Sequence, residues 1–186
     1  MSRNLTSWIA DYVKSCLEKG DSSRNIAISS NGLSRPARRV QVCSVHESLR
    51  CLVVSDGNHS IYAFLTSSCV ELLESKEGLH LSDLKHSLVQ LSAYHLSLHH
   101  QSTYDRPRSE LQKLKGCVGP FVLQISELTL LASDVQIDGG GGGLVNSSKE
   151  VKAQLQPHSQ LLSYCELYSR LRRAQFPKLD VLPDFG

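Results

Sequence analysis

The sequence predicts a mainly β domain in which a meander of strands is flanked by helices. Two apolar runs, Cys51–Val54 and Ile61–Leu65, stand on either side of the polar link 55–60, which contains the dipeptide Asp56-Gly57. Asp-Gly between runs rich in Val, Ile, Tyr and Phe is a strong hairpin signal, because Gly adopts a positive φ angle without steric cost. We therefore expect a β-hairpin with Gly57 at positive φ. Further strands must pair with it, since an isolated hairpin is only marginally stable.

An amphipathic helix is predicted ahead of the hairpin. Apolar residues recur at steps of three and four between Leu5 and Leu17, which places them on one helical face. We expect Thr6 or Ser7 to cap the start of this helix, because short hydroxyl side chains accept hydrogen bonds from its first amides. Gly20 is expected to supply the left-handed residue that follows its end.

The elements on either side of the hairpin are predicted from their apolar patterns. Alternation at Val40–Val45 indicates a strand before the hairpin, and Ser67–Leu73 fits a short helix after it. The next leucine-rich segment is ambiguous. Helical spacing favours a helix over 81–92, whereas the alternation of leucine with polar residues at 95–99 is that of a strand.

The last strand is predicted at Phe121–Leu131, with Pro120 at its start, where a missing amide donor is tolerated. Residues 100–117 are polar and are expected to form a long loop. These elements together predict one domain over residues 1–138.

The C-terminal part of the chain is predicted to hold one further helix. The five glycines that follow Asp138 predict a glycine-rich linker over 139–156 with no packing role. A helix over 157–175 is expected to begin near Pro157, which suits a first helical position. Residues 176–186 are expected to form a flexible tail.

The composition excludes several classes of protein. The formal net charge of +2 is nearly neutral, so no global field attracts the chain to nucleic acid or to a membrane. Six scattered cysteines without a Cys-x-x-Cys pair predict neither a disulfide framework nor a zinc site. The charged residues of the N-terminal pattern exclude a signal peptide, and no apolar run approaches the ~20 residues of a membrane span. We expect a soluble intracellular chain without metal or cofactor.

Two clusters of polar side chains raise the question of catalysis. Ser55, Asp56 and His59 invite a hydrolase interpretation, but a catalytic triad converges from separate segments, whereas these three share one turn. A hairpin turn is therefore the prediction. On a strand, His95 and His99 would lie about 13 Å apart, too far to bind one metal ion. We expect no catalytic residues and no enzyme.

Direct binding of single-stranded nucleic acid is the alternative function. Tyr62 and Phe64 share one face of a predicted strand and could stack bases, with Arg38 and Arg39 as candidate phosphate contacts. Core packing of the rings and a solvated face for the arginines are the competing interpretations. Strand binding depends heavily on phosphate neutralisation, so the nearly neutral charge favours a protein-binding role.

Three segments together resemble one known family. They are Trp8-Ile9 in the first helix, the hairpin segment Leu52–Ser60 (Leu-Val-Val-Ser-Asp-Gly-Asn-His-Ser) and Phe121–Ile125 in the last strand. They resemble, in order, the N-terminal OB domain of the telomeric shelterin subunit family called adrenocortical dysplasia protein (ACD). The resemblance covers about residues 5–165 and implies that 87–99 is a strand. The expected fold is a five-stranded OB-fold barrel with an N-terminal helix, an inter-strand helix and a C-terminal helix.

The resemblance implies a telomere-maintenance adaptor without catalysis, located in the nucleus at telomeric chromosome ends. Its expected partner is telomerase, through the telomerase reverse transcriptase. The protection-of-telomeres protein and other shelterin subunits are expected to bind segments C-terminal to this domain. Contact with telomeric single-stranded DNA would then be indirect, and no membrane is involved.

The telomerase-docking surface implied by the resemblance is a patch of acidic residues and leucines. Glu74 and Glu77 match its part after the hairpin, and Leu131 and Asp134 match its part at the end of the last strand.

A second docking element is implied just ahead of the first helix. It matches Ser2–Leu5, in which Arg3 and Leu5 carry over. The sequence departs from the family at Ser87 and Gln90, where a positive residue and a leucine are expected.

Overall fold

The helices and strands of the chain were assigned from a computed structural model, which describes residues 5–21, 36–99, 114, 120–136, 142–155 and 164–175. The helices are α1 (Ile9–Asp21), α2 (Ser67–Leu72), α3 (Lys149–Leu155) and α4 (Tyr164–Gln175). The strands are β1 (Arg38–His46), β2 (Cys51–Ser55), β3 (His59–Leu65), β4 (Leu88–Leu98), β5 (Phe121–Ala132) and β6 (Gly143–Leu144). None of the described helices is long and apolar enough to cross a membrane.

Strands β1 to β5 close into a mixed barrel. The meander β1–β2–β3 is antiparallel, β3 pairs with β5 in parallel, and β5 pairs with β4 in antiparallel fashion. Strand β4 then pairs with the start of β1, so that the sheet closes on itself. This five-stranded closure confirms the predicted OB-fold, with α1 before the barrel and α2 between β3 and β4.

Most of the ambiguous leucine-rich segment forms strand β4. The helix predicted from leucine spacing over 81–92 is wrong, apart from one short 3₁₀ turn at Leu81–Leu84. The pairing of β4 with β5 shifts register on either side of Ala93, which marks a β-bulge. A bulge inserts one extra residue and so changes which alternate positions face the core. Val89 and Leu91 are buried before it and Leu96 after it, so strand alternation is broken into two phases.

The hairpin between β2 and β3 also holds the start of α1. Gly57 has a φ angle of +96°, as predicted. Asp56 is only 1% exposed, and its Oδ2 accepts hydrogen bonds from the backbone amides of Trp8 and Ile9, both at 2.7 Å. Its Oδ1 accepts from the amides of Asn58 at 3.0 Å and His59 at 2.8 Å. One carboxylate thus caps a helix and closes a turn.

This arrangement corrects both predicted ends of α1. The first amides bind Asp56 rather than a local cap, and the Ser7 hydroxyl itself donates to Asp56 Oδ2 at 3.5 Å. Gly20 lies inside the helix, which continues to Asp21, so the predicted left-handed end at Gly20 is wrong. Four backbone amides occupy the Asp56 carboxylate, in agreement with the turn interpretation of Ser55, Asp56 and His59.

Helix α4 packs against the barrel through a side-chain amide. Leu167 and Leu171 are buried in the main core cluster, which fills the barrel and the underside of α1. Gln175 Nε2 donates to the Leu96 carbonyl oxygen, and the Leu96 amide donates to Gln175 Oε1, each at 2.7 Å. Gln175 therefore makes with the Leu96 backbone the pair of hydrogen bonds that a neighbouring strand would make. The predicted helix start near Pro157 lies outside the described residues.

Residues 142–155 are packed structure, which corrects the predicted linker of 139–156. Gly143–Leu144 pairs with the start of β3, and Val145 and Val151 are fully buried. The Asn146 side chain donates to the Phe121 carbonyl oxygen at 2.9 Å and accepts from its amide at 3.2 Å. The loop predicted at 100–117, apart from Leu114, and the tail at 176–186 lie outside the described residues.

Gly142 lies in close contact with the backbone of the hairpin turn. Its φ angle is +69°, and a Cβ atom there would lie 2.3 Å from the Asn58 carbonyl oxygen. Gly142→Ala should therefore lower the free energy of unfolding by about 2 kcal/mol or more, measured by urea denaturation. The matched control is Gly143→Ala, because a Cβ at Gly143 meets no heavy atom within 4 Å. Equal stability of the two variants would contradict the close approach at Gly142.

The Asp56 cap should make stability depend on pH. Burial opposes the charged form, but hydrogen bonds from Ile9, His59, Trp8 and Asn58 outweigh it and hold the pKa of Asp56 below its usual value. The stabilisation is therefore complete above the unfolded-state pKa of about 4 and is lost as the pH falls through the lower folded-state pKa. At pH 7, Asp56→Asn should cost about 1–3 kcal/mol, since the amide group turns a donor towards backbone donors.

Urea unfolding at neutral pH and at about pH 3 measures the difference in free energy of unfolding between Asp56→Asn and the parent, which should be smaller in acid. Asp11→Asn, an exposed change in the first turn of the same helix, is the control and should cost no more than about 0.3–1 kcal/mol, through the helix dipole alone. A neutral-pH cost for Asp56→Asn no larger than that of the control would contradict the cap.

Candidate functional site

The predicted acidic patch begins on α2 and the turn that extends it. Thr66 caps α2 by accepting a hydrogen bond from the Cys69 amide at 3.2 Å. After Leu72 the chain widens into a π-helical turn over Leu73–Glu77, which ends at Gly78 with a left-handed φ of +63°. Leu73 is buried in the core, so this turn is anchored and its polar side chains face outwards.

Two exposed leucines lie on α2 and β5, the elements that carry the predicted patch. Leu72 is 40% exposed and Leu131 is 42% exposed, and they are two of the three large apolar side chains that are exposed in the described part of the chain. Glu74 and Glu77 are exposed on the turn after Leu72. Large apolar side chains that remain exposed beside polar groups are typical of interaction surfaces.

Strand β5 adds a carboxylate that the sequence analysis did not select. Glu127 and Leu131 are exposed and separated by four residues, which places them on one face of the strand. Strand alternation, with Leu128 buried between outward positions, was the signal that could have found Glu127. The selected carboxylates of the patch are now Glu74, Glu77, Glu127 and Asp134, and Glu71 is a further exposed carboxylate on α2.

Carboxylates of the α2 turn and of β5 both affect the Cys69 thiol. Burial raises the pKa of the Cys69 thiol to about 11, a backbone hydrogen bond from Leu128 opposes the rise, and the carboxylates of Glu127 and Glu77 add to it. Both carboxylates therefore act on the same thiol from two different elements. His80 Nδ1 lies 3.8 Å from Glu74 Oε1, but both side chains are well exposed, so this contact contributes little.

Asp134 is placed by the backbone that follows β5. Its φ angle is +52°, and the next amide, that of Val135, donates to the His86 carbonyl oxygen at 2.7 Å. Gln41 Nε2 donates to the Val135 carbonyl oxygen at 3.0 Å, which ties this segment to β1. Asp134 thus lies beside His86, in the segment just before β4.

We define the acidic leucine surface by six exposed residues of α2, its extending turn, β5 and the segment after β5: Leu72, Glu74, Glu77, Glu127, Leu131 and Asp134. Lys76 is a cation on the same turn, and it leaves a clear excess of negative charge. Such a surface suits a partner that offers an apolar pocket with basic edges.

The two positions that depart from the family, and the second docking element, are placed differently. Ser87 is fully buried and its hydroxyl donates to the Leu84 carbonyl oxygen at 2.6 Å, so it is not a surface position. Gln90 is partly buried on β4. Leu5 lies against the hairpin, where a Cβ atom built on Gly57 would be 3.7 Å from the Leu5 Cβ. Arg3 lies outside the described residues.

The base-stacking role considered for Tyr62 and Phe64 is corrected by their burial. Phe64 is fully buried and Tyr62 is 9% exposed, and both belong to a second core cluster on β2 and β3. Tyr62 stacks on His46 with ring centroids 6.2 Å apart, and Phe64 stacks on His99 at 6.1 Å. These ring faces are therefore occupied by the protein itself.

The two arginines considered as phosphate contacts lie in different environments. Arg39 is exposed, whereas Arg38 is partly buried with its guanidinium carbon 5.7 Å from the centre of the Trp8 ring. Within the described ranges, no cluster of three or more His, Cys, Asp or Glu side chains is placed to bind a metal ion.

Comparison with known proteins places this chain in a family. A search of curated protein sequences found no match. Among solved structures, the fold is similar to that described as "Est3 telomerase subunit in the yeast Hansenula polymorpha", with a TM-score of 0.54 and 16% identity over 88% of this chain and 90% of that one. At this identity the likeness shows the fold alone. The family profile described as "Shelterin complex subunit, TPP1/ACD" matches residues 5–137. The chain therefore belongs to the TPP1/ACD family of shelterin complex subunits.

Proposed function

We propose that this chain is a telomere-maintenance adaptor whose OB domain docks telomerase at chromosome ends through the acidic leucine surface. The observation that carries the proposal is the exposure of Leu72 on α2 and of Leu131 on β5, with exposed carboxylates on both elements and on the segments that follow them. Membership of a shelterin subunit family supports a telomeric role. The proposed action is by protein–protein contact, without catalysis.

The partner proposed for this surface is the telomerase reverse transcriptase. An exposed leucine contributes most to affinity when it enters an apolar pocket from which water is excluded. Carboxylates around it select a partner with basic edges and accelerate the encounter. The α2 turn is anchored by Leu73 and ended by Gly78, so little ordering is required when the surface docks.

The wider assembly follows from the same proposal. The protection-of-telomeres protein and other shelterin subunits would bind through segments C-terminal to this domain, in the nucleus at telomeric chromosome ends. Telomeric single-stranded DNA would be contacted indirectly, which agrees with the burial of Tyr62 and Phe64. Arg3 and Leu5 form the proposed second contact with telomerase.

Charge reversal on the α2 turn tests the docking surface. The double variant Glu74→Lys, Glu77→Lys should abolish capture of the telomerase reverse transcriptase in a pull-down, because it places cations opposite the basic edges of the partner. Both side chains are exposed, so the free energy of unfolding should stay within about 0.5 kcal/mol of the parent.

The matched control reverses two exposed glutamates elsewhere, Glu47→Lys with Glu150→Lys, and should leave capture intact. Undiminished capture by the α2 variant would remove Glu74 and Glu77 from the site. Equal loss in the control would indicate a general charge effect rather than a docking surface.

A single change on β5 tests whether the surface extends beyond the predicted residues. Glu127→Lys alone should weaken telomerase capture by about fivefold, which is the usual scale of one charge at the rim of an interface. Quantitative pull-down across a range of salt concentrations measures the effect, which should diminish as salt screens the charges. Unchanged capture at low salt would place Glu127 outside the contact while leaving the Glu74 and Glu77 test unaffected.

A further inference from the structure

A cleft lies outside the acidic leucine surface. It is a cleft of about 420 Å³ between α1, the start of β1, the middle of β4 and the end of α4. This volume is within the range of roughly 300–1,000 Å³ that is usual for ligand sites. None of the six residues of the acidic leucine surface lines it.

Three aromatic rings form one wall of the cleft. The ring centroids of Trp8, Tyr12 and Tyr94 are 5.4–5.8 Å apart, so the rings support one another at tilted angles. The Tyr12 hydroxyl donates to Gln175 Oε1 at 2.9 Å, and the Tyr94 hydroxyl donates to the Pro36 carbonyl oxygen at 3.1 Å. These hydrogen bonds fix the rings in place, so that they present a prepared apolar surface.

Arg38 supplies the positive charge of the cleft. Its guanidinium lies over the Trp8 ring at 5.7 Å, and it has no carboxylate partner within the described part of the chain. A planar guanidinium with available donors binds a carboxylate through two parallel hydrogen bonds. Asp11 also lines the cleft, but it is exposed, so solvent screens its charge more than that of the partly buried Arg38.

The indole of Trp8 adds a second polar group. Trp8 is 5% exposed, and its Nε1 is buried without a hydrogen-bond partner among the residues that the structure describes. Buried donors are nearly always satisfied in native proteins. Because this nitrogen has almost no accessible surface, an acceptor reaches it only if the cleft wall shifts on occupancy.

We propose that this cleft binds a linear peptide segment of a protein partner in which a glutamate or aspartate stands next to an apolar side chain. The carboxylate pairs with Arg38, and the apolar side chain packs on the aromatic wall beside Tyr12 and Tyr94. A peptide provides both groups over a few residues. The site is separate from the telomerase-docking surface, and its test does not depend on that function.

Trp8 itself reports the occupancy of the cleft. It is the sole tryptophan of the chain, so a change in tryptophan emission on titration arises at the cleft wall. The probe is the N-acetylated, C-amidated peptide Gly-Ser-Leu-Glu-Leu-Ser-Gly, and its matched control carries Gln in place of Glu. The full chain should show a saturable emission change, with the Glu peptide bound at least about fivefold more tightly than the Gln peptide.

Variants of this chain then locate the charge. Arg38→Gln should bring the ratio of the dissociation constants of the two peptides close to one. Arg39→Gln should preserve this ratio, because adjacent residues of a strand face opposite ways. Asp11→Asn should tighten binding of the Glu peptide by removing a like charge. Arg38→Lys keeps the charge without the planar fork and should retain part of the ratio, which provides a second variant if Arg38→Gln is unstable.

Several outcomes would overturn the proposal. They include no saturable change up to about 5 mM peptide, equal binding of the two peptides, or the same loss of selectivity in Arg39→Gln. Peptide binding only after residues 176–186 are deleted would show that the chain occupies its own cleft. Saturation by oligothymidylate but not by peptide would assign the cleft to nucleic acid.

Discussion

The buried carboxylate of Asp56 is the interaction on which the rest of the structure depends. It joins the first amides of α1 to the turn between β2 and β3, two parts of the chain that are almost fifty residues apart. An unpaired charge at 1% exposure would be costly, but four backbone donors surround this one and keep it ionised. Helix α1 is thereby oriented on the barrel, and with it the aromatic wall of the cleft.

Side-chain amides complete the barrel where strand pairing ends. Gln175 satisfies the backbone of Leu96 on β4, and Asn146 satisfies that of Phe121 on β5, so both helical additions at the C-terminal end are attached through hydrogen bonds that imitate a strand. The barrel then serves as a rigid support for two surfaces of different character. One is acidic, with exposed leucines on α2 and β5. The other is aromatic, with Arg38 as its cation, beneath α1 and α4.

Much of the fold was predictable from local patterns, because strand alternation and turn chemistry act over a few residues. The hairpin, Gly57, the short helix α2 and the last strand follow from such patterns. Strand β4 was obscured by a bulge, which places its leucines in two alternation phases and so imitates helical spacing. Within the candidate site, Glu74 and Glu77 were selected through family resemblance. Glu127 was missed because only the apolar residues of its strand were considered.

The sequence by itself determined the class of fold, the positive φ at Gly57 and the family, since each depends on neighbouring residues or on a short contiguous motif. Only the tertiary structure decided which polar groups meet. Asp56 caps a helix that lies far from it in sequence, Gly142 packs against the hairpin despite its place in a glycine run, and Phe64 turns its face to His99 rather than to solvent. These pairings depend on how the barrel closes, and closure brings together segments whose spacing along the chain carries no signal of their contact.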